Sequence, residues 1–181
     1  MVEKILLVNE HDAEVGFDEK MKVHKQGHLH RAFSIFIFNS LGQTLLQKRA
    51  VVKYHCGGLW TNTCCSHQRK GETLKQAVHR RLKEELGFDT KLNESFTFTY
   101  YAKFDNGLTE NELDHVFLGQ YNGEVHIDLN EIEEYKWISL DDLKDDISKN
   151  PETYTPWLKI IFSNYSKYLL AYTKDKKVGL N

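Results

Sequence analysis

Residues Thr73 to Leu86 carry the clearest helical pattern in this chain, and its inner face is wrong for a helix built only to pack. At about 100° per residue, Leu74, Ala77, Val78 and Leu82 share one stripe. Arg81 and Glu85 fall in the middle of that stripe, while His79, Arg80 and Lys83 take the opposite, solvated side. Gly87 follows where helices commonly stop. As an exposed i,i+4 pair, Arg81 and Glu85 would contribute only about 0.3–0.5 kcal/mol. If buried, each ion costs several kcal/mol to desolvate, and stability alone favours apolar residues there. The pattern points to a helix that borders a polar site, with Glu85 directed toward a cation and Arg81 toward an anion. An ordinary ion pair at the edge of the stripe is the alternative.

Strand patterns lie on both sides of this helix. Lys4 to Asn9 reads as a first strand, with Glu10 to Gly16 as its turn. Ala32 to Asn39 is a strong strand, turning at Ser40-Leu41-Gly42 into a hairpin partner at Thr44 to Lys48. Phe96 to Phe104 and Glu112 to Tyr121 flank an Asp105-Asn106-Gly107 turn, and Glu134 to Ile138 is a further short strand. Leu140 to Asp145 reads as a short helix and Trp157 to Tyr172 as one longer closing helix. Strands around a central helix indicate an α+β or mixed α/β sandwich. With 181 residues, two prolines and no repeats, a single domain over 1–181 is expected.

Charge and cysteine usage exclude several functions. The net charge of -2 gives no global attraction to nucleic acid or to an anionic membrane, so any anion site must be local. No run reaches the roughly 18 apolar residues of a membrane span, and the start MVEKILLVNEHD lacks a signal-peptide pattern. A cytoplasmic location is the expectation. Three cysteines, Cys56, Cys64 and Cys65, make a poor disulfide framework. No glycine-rich dinucleotide fingerprint is present.

Chemistry concentrates in three places. WTNTCCSH, Trp60 to His67, sets Cys65, a potential acid or nucleophile, two residues from His67, a potential metal ligand. The plainer reading of either adjacent cysteine is a small buried hydrophobe. Glu110-Asn111-Glu112 opens a strand, so Glu110 and Glu112 share a face and can present two carboxylates to one point; an acidic loop rim is the alternative. His24, His28 and His30 lie upstream, and spacing does not choose among them. Imidazole together with carboxylate suits zinc, manganese or iron better than calcium.

The segment around the helix resembles the Nudix box, G-x5-E-x7-R-E-U-x-E-E-x-G-U with U aliphatic, through Ser66, Glu72, Arg80, Arg81, Leu82, Glu84, Glu85, Gly87 and Phe88. Ser66 replaces the first glycine and Arg81 the glutamate of the R-E pair. In Nudix hydrolases that glutamate helps hold magnesium, so a cation there weakens the expectation of diphosphate hydrolysis. With LHRAF, TNTCCSH, ENE and TPW in order around this helix, the chain resembles the type I isopentenyl-diphosphate isomerase family from about Lys4 to beyond Trp157.

The resemblance implies a Nudix-like α/β/α sandwich with a mixed central β-sheet. It also implies an enzyme that interconverts isopentenyl and dimethylallyl diphosphate by metal-dependent proton transfer in isoprenoid biosynthesis. Carried onto this sequence, it implies a metal site of His24, His30, His67, Glu110 and Glu112 holding Mn2+, Zn2+ or Mg2+, with His28 left out. Cys65 and Glu112 would be the opposed acid/base groups, with Tyr100 or its neighbour Tyr101 as the catalytic tyrosine. Trp157 would cover the pocket. Lys20 (in competition with Lys22), Arg49, Lys53 and Arg81 would grip the diphosphate, and Glu85 would hold a Mg2+ bridged to it. The pattern departs from the family at Cys56-Gly57-Gly58, where an aromatic-Pro-Gly is common, and in a His24–His30 loop one residue short. A small-molecule substrate and a monomer or weak dimer are expected. A Nudix hydrolase and a non-catalytic metal-binding module are the competing readings. Arg81 disfavours the first, and the second leaves Cys65, Arg81–Glu85 and Trp157 without a role.

Overall fold

The computed structural model describes residues 2–178, so residues 1 and 179–181 of the expected domain lie outside the described residues. Strand β3 (His30–Phe38) is the axis of the sheet. Its sequence, HRAFSIFIF, is rich in aromatic and β-branched residues and is buried continuously from Ala32 onward, as suits a strand covered on both faces. Along one edge it runs parallel to β8 (Thr109–Gln120), in register from His30–Glu112 to Phe38–Gln120. The strand β8 in turn pairs antiparallel with β7 (Leu92–Lys103).

The other edge of β3 is shared by three strands. β1 (Lys4–Val8) meets its start at His30, β6 (Cys64–His67) its middle, and β4 (Thr44–Arg49) its end at Phe38. Because β6 occupies this edge, β4 is not the full hairpin partner of β3 that the turn at Gly42 suggests. It peels away to pair with β9 (Ile132–Ile138) and β5 (Trp60–Thr61), which curls the sheet. One parallel pair among antiparallel ones makes the sheet mixed, and with helices on both faces the fold is α+β.

Several elements escape the sequence pattern, among them the short strands β5 and β6. Residues read as the end of a turn belong to β2 (Glu14–Glu19), an edge strand on β1 with no alternation of apolar residues. Helix α1 (Lys20–Gln26) follows it and buries only Val23 and His24, too few for a periodic stripe.

Side-chain alternation divides β3 between two layers. Phe33, Ile35 and Ile37 pack against α2 (Leu74–Leu86) through Ala77, Val78, Leu82 and Leu86. Phe36 and Phe38 pack with Leu143, Leu158, Ile161 and Leu169, from α3 (Leu140–Lys149), α4 (Pro156–Asn164) and α5 (Ser166–Val178). Each such fully buried side chain contributes about 1.5–3 kcal/mol. His30, Ala32 and Ser34 share the face of Phe36 and Phe38 at the opposite end of the strand, and a cleft opens there.

Helix α2 starts and stops where its sequence says. Thr73 caps it: its hydroxyl accepts from Gln76 N (3.2 Å) and the Gln76 side chain accepts from Thr73 N (2.8 Å), a capping box. Gly87 ends it in the left-handed region (φ 74°), where a Cβ would stand 2.8 Å from that of His126. The closing helix is broken, not continuous. Ser163-Asn164-Tyr165-Ser166 has weak helix propensity, and the break at Tyr165 lets its ring stack on Phe96 (5.1 Å between centroids). Among the described residues no helix is long and apolar enough to cross a membrane.

Candidate active site

Strand register brings together residues far apart in sequence. His30 on β3 stands opposite Glu112 on β8, Ala32 stands opposite His67 on β6, and Tyr100 on β7 stands opposite Glu112. Period-two alternation then puts Glu110 on the face of Glu112, and Cys65 on the face of His67. Asn111, between the glutamates, turns to α1 and donates to the Gly27 carbonyl (2.9 Å), fixing the end of the helix that carries His24.

The result is a group of five buried side chains, His24, His30, His67, Glu110 and Glu112, whose ligand atoms all lie within 4.8 Å of one another. His24 Nδ1 donates to Lys20 O (2.7 Å) and His30 Nδ1 to His28 O (2.8 Å), which aims both Nε2 atoms inward. His24 Nε2, His30 Nε2 and Glu110 Oε2 are buried and make no hydrogen bond of good geometry. His67 Nε2 contacts Glu112 Oε1 at 2.8 Å. Five convergent imidazole and carboxylate donors, three of them unsatisfied, fit a divalent cation. His28 is exposed and contributes only its carbonyl.

The electrostatics follow from burial and contact. Burial pushes His67 well below its ordinary value, which keeps it neutral, the form that ligates metal. Burial also opposes ionisation of Glu110, but the close imidazoles of His24 and His55 outweigh it and hold that carboxyl well below the usual range. Burial raises the Cys65 thiol to about 12.

A cleft opens over this cluster. Cys65 and Glu112 both line it, as do Trp157 and the cations Lys20, Arg49, Lys53 and Arg81. Burial, with Lys53 and Arg81 nearby, depresses Lys20 below the usual amine value despite its pairing with Glu3 (3.3 Å). Lys22 points outward to Asp18 (2.6 Å). Tyr100 is buried behind Glu112 and donates to its Oε2 (2.5 Å), whereas Tyr101 is 56% exposed. Cys64 points away, into the layer under α2.

The charged stripe of α2 is buried. Arg81 pairs with Glu85, with Glu84 (2.8 Å) and with Glu131 (3.1 Å), while Glu85 also accepts from Gln47 Nε2 (2.9 Å). Glu85 therefore meets a protein cation directly and stands behind Arg81, outside the residues lining the cleft.

Several residues at the site were given no role by the sequence. His55 lies against Glu110. Glu131 bridges Lys53 and Arg81. Asp114 accepts from Ser34 (2.7 Å) one step along the face from Glu112, and burial together with the Glu112 charge raises it well above its ordinary value. Thr61 and Asn62 hold the Trp157 indole N–H (2.8 and 3.2 Å), and Asn62 also accepts from Cys65 Sγ (3.6 Å). The pairing of TNT with TPW therefore has a direct physical cause: one segment anchors the ring of the other.

The folding pattern and the cleft define a NUDIX-domain protein. A NUDIX domain model matches residues 28–158. In fold, the chain is similar to DR0079 from Deinococcus radiodurans (TM-score 0.74, 20% identity, 90% of this chain and 99% of that one). It is also similar to a MutT protein from Methanosarcina mazei (TM-score 0.64, 20% identity, 77% and 94%). Sequence relatives narrow the class. The chain is 49% identical over 158 residues to isopentenyl-diphosphate Delta-isomerase 2 of Aromatoleum aromaticum, covering 87% of this chain and 84% of the relative. It is 43% identical over 173 residues to isopentenyl-diphosphate Delta-isomerase of Pectobacterium atrosepticum, covering 96% and 97%. The chain belongs to the isopentenyl-diphosphate Delta-isomerase family within the NUDIX domain proteins.

Proposed function

We propose that this protein, acting as one domain over residues 1–181, interconverts isopentenyl and dimethylallyl diphosphate by moving a proton onto one carbon and off another. The observation that carries the reading is the cleft in which Cys65 and Glu112 share space with Trp157 and four cations. An unactivated alkene is a weak base, so it needs an acid held against it in a site sheltered from water. The neutral Cys65 thiol and the Glu112 carboxylate line that site as the two proton-exchanging groups. One adds a proton to the terminal CH2, leaving a tertiary carbocation, and the other takes a proton from C2, closing the new double bond. The Trp157 ring, which lines the cleft, would offer the cation attraction of about 2 kcal/mol or more when desolvated.

At the other end Lys20, Arg49, Lys53 and Arg81 would hold the diphosphate by charge-assisted hydrogen bonds and so fix the short hydrocarbon between the two groups. A divalent cation, Mn2+, Zn2+ or Mg2+, held by His24, His30, His67, Glu110 and Glu112, would set the proton affinity and direction of Glu112. Glu85, held by Arg81 and Gln47, is the proposed ligand of a Mg2+ that accompanies the diphosphate. A guanidinium at position 81 supports gripping a diphosphate over cleaving it. Incubating the metal-loaded protein with isopentenyl diphosphate, followed by product analysis, tests this: dimethylallyl diphosphate is expected. Release of phosphate with no isomer formed favours a hydrolase.

A further inference from the structure

His55 is 6% exposed, yet it sits in a loop between β4 and β5 that exposes Val51 (71%) and Val52 (84%). Its Nε2 lies in close contact with Glu110 Oε1, outside regular hydrogen-bond geometry, while Glu110 Oε2 points to His24 Nε2 (3.3 Å) and His30 Nε2 (3.8 Å). The two oxygens of one carboxylate thus have different work: one faces the metal cluster and the other faces His55. The imidazole stacks on Phe104 (5.0 Å, 11°) and meets Trp157 edge-on (6.0 Å, 78°), so its plane is set from two sides. Its carbonyl accepts from Arg49 Nη2 (3.1 Å), which ties the same loop to one of the cleft's cations. His55 stands outside the five donors that come within 4.8 Å of one another.

We propose that His55 is a positioning residue for the metal centre: its ring, in contact with Glu110 Oε1, restrains that oxygen and so aims Oε2 at the cation. This rests on the reading of the His/Glu cluster as a metal site. A carboxylate restrained at one oxygen has a fixed torsion and one free oxygen, so it ligates through a single atom in a set direction. Partners of this kind are worth about 10–100-fold in metal affinity. The stack on Phe104 and the edge-on contact with Trp157 supply the rigidity that the exposed loop lacks.

The test is calorimetric titration of chelator-treated protein with Mn2+ alone, with circular dichroism confirming that each variant is folded. The parent should bind Mn2+ and His67→Ala should not; Mn2+ binding unaffected in His67→Ala overturns the metal reading and this proposal with it. His55→Phe keeps an aromatic ring for stacking but removes the nitrogen in contact with Glu110, and should weaken Mn2+ binding by about 10–100-fold. His55→Gln restores a side-chain nitrogen and should recover part of that loss. Parent-like affinity in a folded His55→Phe overturns the positioning role while leaving the metal site intact. A loss as complete as that of His67→Ala makes His55 a ligand itself, and overturns the role equally.

Discussion

Tyr100 and Glu112 are joined by a hydrogen bond in which the phenol donates to Oε2 at 2.5 Å, while His67 Nε2 contacts Oε1 at 2.8 Å. Both oxygens of Glu112 are therefore held before substrate arrives. Burial and the Glu112 charge push the Tyr100 phenol well above its ordinary value, so it remains a neutral donor. Tyr100→Phe should lower kcat on the order of 10²-fold, with KM little changed because Tyr100 lies away from the cleft's cations. Steady-state assay of the metal-loaded variant checks this, and an unchanged kcat contradicts it.

Arg81 and Glu85 form a buried pair on α2. Removing one partner strands the other charge, so Arg81→Ala should cost about 3–5 kcal/mol, or roughly 6–20 °C in Tm for a chain of this size. Replacing both, as Arg81→Leu with Glu85→Leu, should recover much of that loss because no ion is left unpaired. Thermal melts decide it. A double variant less stable than Arg81→Ala contradicts this account of the stripe.

The five-donor cluster links metal to stability. A ligand at about 100 times its Kd stabilises the folded state by about 2.7 kcal/mol, which corresponds to roughly 5–11 °C for a chain of this length. Melting in Mn2+ and then in excess chelator should show a reversible difference of that order. His67→Ala should show none.

Burial raises the thiols of Cys56 and Cys65 to about 11 and about 12. An unfolded chain ionises a thiol near its ordinary value of about 8.5. Across roughly pH 9 to pH 12 the unfolded state therefore sheds protons that the folded state keeps, and folding stability falls as pH rises. Below that window these groups have no effect. Melting temperatures taken from about pH 8 upward check the direction. Since the thiolate is the reactive form, Cys65 in the native protein should resist iodoacetamide at about pH 8. Rapid alkylation there contradicts its burial as a neutral thiol.

The legible parts of the sequence were those with a period. Helix α2 shows its stripe and its Gly87 stop in thirteen helical residues, and the intruding Arg81 and Glu85 are indeed buried. The strands β3, β7 and β8 show as aromatic and β-branched runs. Edge strand β2, helix α1 and the break at Tyr165 left no pattern, because each is held by tertiary contacts and not by an apolar repeat of its own. The site divides in the same way. The i,i+2 glutamates on β8 can be read directly, whereas His55 and Glu131 sit in loops, and their partners lie far along the chain. Only the register of β3 with β6 and β8 brings His30, His67 and Glu112 to one point.

The most direct test of the two-sided proton transfer is conversion of isopentenyl diphosphate by folded, metal-loaded Cys65→Ala beside the parent. The parent should form dimethylallyl diphosphate, and the variant should be slower by about 10²–10⁴-fold while binding Mn2+ as the parent does. Parent-like turnover in Cys65→Ala would show that Cys65 carries no proton in the reaction.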